Sequence, residues 1–239
     1  MPDIFLSVII PAYNEAERIG PSLHSVMRFL DQQPFASEIV VVDDGGTDNT
    51  IIVAQKKLQG FSHQLLKNDV NHGKGFVVRQ GMLAAKGKYL LFSDADLSTP
   101  IEEVSGFISE LENGYDVVIG SRALPKSNIV VHQPFWREMM GRTFNFIARA
   151  LSFRDIKDSQ CGFKAFKREV ARDLFSRQKM NGFSFDVEIV YLAQKLGYKI
   201  LEKPVTWRNS PQSRVSPIVD SWKMLMDISR IRHLHRNLK

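Results

Sequence analysis

Leu6-Ser7-Val8-Ile9-Ile10-Pro11-Ala12-Tyr13-Asn14-Glu15 is a short, β-branched run that stops at a proline and then turns polar. A run of this length without polar alternation reads as a strand buried on both faces. Directly after it, Ile19, Leu23, Val26 and Leu30 recur at helical spacing and predict a helix over residues 16–30. The unit then repeats. Glu38-Ile39-Val40-Val41-Val42 is a second continuous strand, halted by Asp43-Asp44-Gly45-Gly46. A helix over residues 50–58 follows, with Thr47 or Asp48 as its cap. Next come a strand around Gln64-Leu65-Leu66, the loop Asn71-His72-Gly73-Lys74-Gly75, a helix over 76–85 and the strand Tyr89-Leu90-Leu91-Phe92-Ser93. Strands and helices alternate through short turns. This predicts an α/β fold: a mostly parallel central sheet with helices on both faces.

Beyond Pro100 the pattern predicts a helix to about Glu112, the strand Val117-Val118-Ile119 and a loop over 124–133. Helices are expected over 134–150 and 167–177, a late strand over 197–202, and a last helix over 218–234 with a basic polar face. No repeat or low-complexity linker divides the chain, so residues 1–239 are read as a single domain.

The composition, 44% hydrophobic and 24% charged, excludes a disordered, collagenous or coiled-coil chain. Cys161 is the one cysteine, which excludes an intramolecular disulfide framework; it reads as packing or pocket lining. The N-terminus lacks the basic region of a signal peptide, and no stretch nears the roughly 18 apolar residues of a membrane span. The expectation is a soluble or peripherally bound cytoplasmic protein. Its net charge of +6 is uneven. Residues 1–120 carry 9 Lys and Arg against 16 Asp and Glu, a net −7, whereas residues 121–239 carry 23 against 10, a net +13. The acidic half suits a metal or a metal-bound nucleoside diphosphate; the basic half suits an anionic partner.

In an open α/β sheet, ligands bind outside the carboxyl ends of the strands. Three strands end in Pro11-Ala12-Tyr13-Asn14-Glu15, Asp43-Asp44 and Asp94-Ala95-Asp96, so the fold collects these groups at one edge. Asp94 and Asp96 offer hard oxygen ligands to Mg²⁺ or Mn²⁺. Asp44 is placed to accept from a base or ribose, Tyr13 to stack on a base, and Lys74, between two glycines, to meet a phosphate. Each also has a plain structural use, as turn, cap or packing residue. The histidines show no zinc spacing.

These motifs occur in an order that resembles glycosyltransferase family 2: Val-Ile-Ile-Pro-Ala-Tyr-Asn-Glu (8–15), Val-Val-Asp-Asp-Gly-Gly-Thr-Asp (41–48), Asn-x-Gly-Lys-Gly (71–75), Asp-Ala-Asp-Leu-Ser (94–98) and Gly-Ser-Arg (120–122). Asp-Ser-Gln-Cys-Gly-Phe-Lys (158–164), Phe-Asp-Val-Glu (185–188) and Glu-Lys-Pro-Val-Thr-Trp (202–207) extend the match over roughly residues 4–232. The nearest branch is the dolichyl- or polyprenyl-phosphate sugar synthases. The resemblance implies a GT-A nucleotide-sugar-binding fold. It divides the chain into a nucleotide-sugar-binding half (1–122), an acceptor half (123–217) and an amphipathic basic C-terminal helix (218–239).

The resemblance further implies that Pro11, Ala12, Tyr13 and Glu15 line the nucleotide site, with Val42 and Asp44 near the base and Lys74 beside the donor. Asp94, Ala95 and Asp96 hold the diphosphate and metal. Arg122 and Arg214 contact donor or acceptor phosphate, and Lys164 joins Arg214 on the acceptor side. Ser98 and the Cys161-Gly-Phe-Lys motif favour UDP-glucose as donor over GDP-mannose, with a polyprenyl phosphate as acceptor. Gly46 replaces the family's usual serine, with little change expected in the base pocket. An anionic lipid phosphate needs no general base; a hydroxyl acceptor would need one, with Asp186 or Glu188 as the candidate.

Residues 219–238 interleave Trp222, Leu225, Met226, Ile228, Ile231 and Leu234 with Lys223, Arg230, Arg232 and Arg236. They read as an interfacial helix on an anionic membrane or as a terminal helix docked on the domain. A homo-oligomer or a membrane-protein partner is compatible with either. A family 2 transferase extending a cell-surface glycan is the alternative within the family. A nucleic-acid-binding module is disfavoured because the acidic strand ends repel phosphates. A nicotinamide-dependent oxidoreductase lacks its glycine fingerprint after the first strand.

Overall fold

The computed structural model describes residues 3–131, 156–208, 226–227 and 229–238. The alternation read from the sequence is present: β1 (Leu6–Ala12), α1 (Ala16–Leu30), β2 (Ser37–Asp43), α2 (Thr50–Lys57), β3 (His63–Lys67), α3 (Lys74–Ala84) and β4 (Tyr89–Ser93). A 3-10 turn (Ile101–Glu103) leads into α4 (Val104–Glu112), then β5 (Val117–Ser121) and β6 (Asn128–Val131). After residue 155 come β7 (Phe163–Lys167), α5 (Arg168–Arg177), α6 (Phe185–Lys195), β8 (Ile200–Pro204) and β9 (Thr206–Arg208).

Seven strands form one sheet in the order β3-β2-β1-β4-β7-β5-β8. All neighbours are parallel except β7, which runs antiparallel to both β4 and β5. Successive side chains of a strand point to opposite faces, so each continuous apolar run feeds two cores at once. Ile9, Val40, Val42, Leu90 and Phe92 pack with α3, α5 and α6 on one face. Val8, Ile10, Ile39, Val41 and Leu91 pack with α1, α2 and α4 on the other. Each fully buried Val, Ile, Leu or Phe is worth about 1.5–3 kcal/mol. A strand with polar alternation could not serve both cores.

The chain moves from β1 outward to β2 and β3, then returns to place β4 on the other side of β1. This reversal opens a crevice between β1 and β4 at their carboxyl ends, where doubly wound sheets bind ligands.

The second half departs from the expectations. β7 was not anticipated, because Lys164 and Lys167 interrupt its apolar pattern. Lys164 is nonetheless buried and pairs with Asp186, and Lys167 pairs with Asp116 at 2.9 Å. The expected loop over 124–133 contains β6, which pairs with β9 in a separate two-stranded sheet. The late strand begins at Ile200 rather than 197, since Gly197, at φ +78°, belongs to the turn after α6. Helix α3 starts at Lys74 rather than Phe76. Asn49 occupies the cap position of α2, while Asp48 Oδ1 accepts the Thr50 N–H. The helix expected over 134–150 lies outside the described residues. So does most of the last helix, whose described residues 226–227 and 229–234 are helical.

Candidate active site

The carboxyl ends of β1, β2 and β4 bring their polar residues together. Ala12 is level with Asp43, and Ile9 with Phe92. Beyond β1, Asn14 takes a left-handed conformation (φ +52°), and its Oδ1 accepts the N–H of Thr47 at 2.8 Å. The Glu15 N–H donates to Thr50 Oγ1 and the Ala16 N–H to Asp48 Oδ2. The turn after β1 is thus tied to the turn after β2. Glu15 itself forms an ion pair with Arg18 at 2.6 Å. A cleft of about 560 Å³, lined by residues including Asn14, Glu15, Thr47 and Asp48, opens here. Pro11, Ala12 and Val42 are buried strand residues, and Tyr13 is half-buried.

Asp44 is buried and accepts the backbone N–H groups of His72 (2.9 Å) and Gly73 (2.8 Å). It therefore shapes the loop that delivers Lys74. Burial pushes the neighbouring Asp43 carboxyl above its usual range. A Cβ on Gly46 would stand 2.7 Å from Asp43 Oδ1 and 3.2 Å from Asn14. A serine at 46 would therefore require both neighbours to shift.

Lys74 Nζ lies 2.7 Å from Asp94 Oδ1. Burial disfavours its ammonium, but Asp94 and, further off, Asp186 and Asp96 outweigh that and raise its pKa above the ordinary lysine value. Asp94 has a tailored seat. Its N–H donates to Gly162 O, and a Cβ on Gly162 would fall 1.9 Å from Asp94 Oδ2. Ala95 is buried, Asp96 Oδ1 accepts the Ser98 N–H at 3.0 Å, and Leu97 is left-handed at φ +46°. Among the described residues no cation pairs with Asp96. Two carboxylates with oxygen to spare suit a hard divalent cation that fills its other positions with water and a diphosphate. No larger group of His, Cys, Asp or Glu able to hold a metal occurs among the described residues.

Arg122 is fixed by Asp158. Its backbone N–H, Nε and Nη2 reach the carboxylate at 3.0, 2.7 and 2.8 Å, and its guanidinium lies 5.5 Å from the centre of the Trp207 ring. Burial disfavours both charges. Asp158 nonetheless holds the guanidinium pKa above its usual value, and Arg122 holds the carboxyl below its own. The Arg122 side chain keeps 29% exposure while Asp158 is buried. Cys161 is buried and pushed up to about 12, an inert packing thiol as its sequence setting suggested.

Residues 7–175 match the family described as Glycosyl transferase family 2. The chain belongs to that family. It is a glycosyltransferase with the GT-A fold. It is 39% identical over 243 residues to the dolichyl-phosphate beta-glucosyltransferase of Dictyostelium discoideum, covering 96% of this chain and 74% of that one. The Saccharomyces cerevisiae enzyme of the same description is 37% identical, covering 96% and 75%. Among solved structures, glucosyl-3-phosphoglycerate synthase from Mycobacterium tuberculosis in complex with UDP superposes with a TM-score of 0.69. It is 20% identical and covers 98% of this chain and 79% of that one. A Pyrobaculum calidifontis mannosyltransferase in complex with GDP-Man and Mn²⁺ has a TM-score of 0.61 at 19% identity, covering 95% and 63%.

Within this glycosyltransferase, two acceptor-side expectations fall on residues that are buried and paired with each other. Lys164 is 1% exposed, donates to Cys161 O at 2.6 Å and forms an ion pair with Asp186. Its position on the inward face of β7 turns its charge to Asp186. Asp186, expected on the chemistry as a base, is likewise buried, and burial raises its carboxyl pKa against the pull of Lys164. Asp186 and Glu188 lie on α6, not on an extended segment, and face different partners; Glu188 binds His235. Arg214 lies outside the described residues. Sequence reasoning left Asp158, Gly162 and His235 without roles. The first two stood inside a quoted motif, whereas nothing local marks His235.

Proposed function

We propose that the chain transfers glucose from UDP-glucose to a dolichyl-type polyprenyl phosphate, inverting the anomeric centre. The carrying observation is its similarity, along nearly its whole length, to dolichyl-phosphate beta-glucosyltransferases. The carboxylates and cations at the β1–β4 crevice suit the nucleotide-sugar part of that reading. Pro11, Tyr13, Glu15 and Val42 would line the nucleotide, and Asp44 would position both the base and the Lys74 loop. Asp94 and Asp96 would hold Mg²⁺ or Mn²⁺, which, when bound, neutralises charge on the leaving diphosphate.

An acceptor phosphate oxygen attacks glucose C1 as the C1–oxygen bond to UDP breaks. The electron pair leaves with UDP. The acceptor oxygen is already anionic, so no proton must be removed and Asp186 can remain paired with Lys164. The protein acts by alignment and by charge. Lys74 and Arg122 would supply positive charge near the diphosphate, and Arg214 would meet the acceptor phosphate.

The test is a matrix of UDP- and GDP-sugars against polyprenyl phosphates, with Mn²⁺ and with EDTA. UDP-glucose with polyprenyl phosphate should be the productive pair. Asp96→Ala should abolish transfer while the protein remains folded. Faster transfer from GDP-mannose would move the donor to mannose. Faster transfer to a soluble sugar would remove the lipid acceptor and make Asp186 the base to examine.

A further inference from the structure

We infer that His235 is a positioning residue for the Lys74 loop, acting through Glu188. This rests on the loop belonging to the donor site as proposed above. Glu188 is completely buried on α6, and its carboxylate gathers three segments. It accepts the N–H of Lys179 at 2.9 Å and of Met180 at 2.8 Å, and His235 Nε2 donates to it at 2.6 Å. The turn at 178–181 is the far wall of the loop. Gln178 Nε2 donates to Gly75 O at 2.9 Å, and Asn181 O accepts the Phe76 N–H at 3.2 Å. A Cβ on Gly73 would stand 2.6 Å from Asn181 O, and one on Gly75 2.6 Å from Met180 O. The loop and the turn therefore fit without slack, and Lys74 stands between those two glycines.

The C-terminal segment is fastened at further points. Ser184 Oγ donates to Asp227 Oδ2 at 2.6 Å, and Lys195 Nζ donates to the carbonyls of His235 and Arg236 at 2.7 and 3.2 Å. Ile231 is fully buried in the same core as Phe185 and Ile189. Ser184, Glu188 and Lys195 recur at helical spacing along one stripe of α6 and its cap, so the segment lies along that stripe. The resulting chain of contact runs from the C-terminus through Glu188 and the 178–181 turn to the ammonium beside Asp94.

Removing the His235 donor leaves a buried carboxylate short of a partner and frees the turn. In His235→Leu, amide exchange at Phe76, Lys179 and Met180 should accelerate about ten-fold, the scale of one lost buried partner, while β1 and β2 remain protected. Affinity for UDP with Mn²⁺ should fall with them, and His235→Gln, which restores an N–H donor, should recover both. In the unaltered protein, the amides of Phe76, Met180 and His235 should open together as denaturant is raised, a measurement that needs no variant. Independent opening of His235, or unchanged exchange at Phe76 in a folded His235→Leu, overturns the inference. Coupled exchange in a protein that binds no UDP would uphold the mechanical link and reject the donor-site reading instead.

Discussion

Asp94 illustrates how one side chain is set by the absence of another. Its Oδ2 occupies the space where a Gly162 Cβ would be, and its Oδ1 meets Lys74. The carboxylate is therefore both seated and neutralised on one side, leaving Asp96 as the less compensated partner. Gly162→Ala must displace Asp94, because no real Cβ sits 1.9 Å from an oxygen. A shift of this kind at a reacting centre costs about a hundred-fold in rate. The expected result is a kcat/KM lower by that order with thermal stability nearly unchanged, checked by steady-state kinetics beside a melt. A Gly162→Ala protein with full activity would remove Asp94 from the site.

The elements divide labour between the two edges of the sheet. At the carboxyl edge the strands end in the carboxylates proposed for the donor site; at the amino edge Glu38 performs a structural task. Its carboxylate accepts Ser7 Oγ at 2.6 Å, the Lys86 N–H at 2.6 Å and Gln64 Nε2 at 3.0 Å, joining β1, β2, β3 and the turn before β4. Glu38→Ala leaves several of these donors unsatisfied and should lower stability by about 3 kcal/mol. UDP affinity of the folded fraction should be unchanged, as urea denaturation and titration calorimetry would report. The strands β1, β2 and β4 were legible because each is an unbroken apolar run between turn residues. β7 was not, since Lys164 reads as polar until Asp186, 22 residues away, is seen to neutralise it. The partner of Arg122 lies 36 residues away and that of Glu188 lies 47, and local spacing carries no signal at such separations. β6 is only four residues long and largely exposed, so its brief Ile129-Val130-Val131 run is too short to mark a strand.

Over the whole molecule, charge sets how stability varies with pH and motivates a second prediction about anionic surfaces. Arg122 holds Asp158 below the usual carboxylate range, so the pair stabilises the fold fully above about pH 4 and is lost as pH falls through the lower folded value. Burial holds Asp186 above that range, so its contribution has the opposite sign, favouring the fold as pH drops toward 4. Asp158→Asn should therefore be less stable at neutral pH and flatter in stability below about pH 4, measured by urea melts across the acid range. The second prediction concerns the C-terminal segment. It is docked, with Ile231 and His235 inward, so deleting it would damage the core and could not test membrane binding cleanly. Its outer face presents Arg230, Arg232 and Arg236 with Leu234, and Met226 stands 63% exposed. No described helix is long and apolar enough to cross a membrane. If the acceptor is a lipid phosphate, this basic face is the one expected to meet an anionic leaflet, where each basic residue contributes about 1 kcal/mol. Replacing the three arginines with glutamine should weaken binding to phosphatidylserine vesicles by roughly a hundred-fold at low salt. The Glu188–His235 contact is untouched by these changes, so UDP affinity should hold. Because such attraction is screened over about 10 Å at 0.1 M salt, the unaltered protein should also release from vesicles as salt rises. Equal sedimentation of the two proteins, or indifference of both to anionic vesicles, would leave the basic face as ordinary solvated surface.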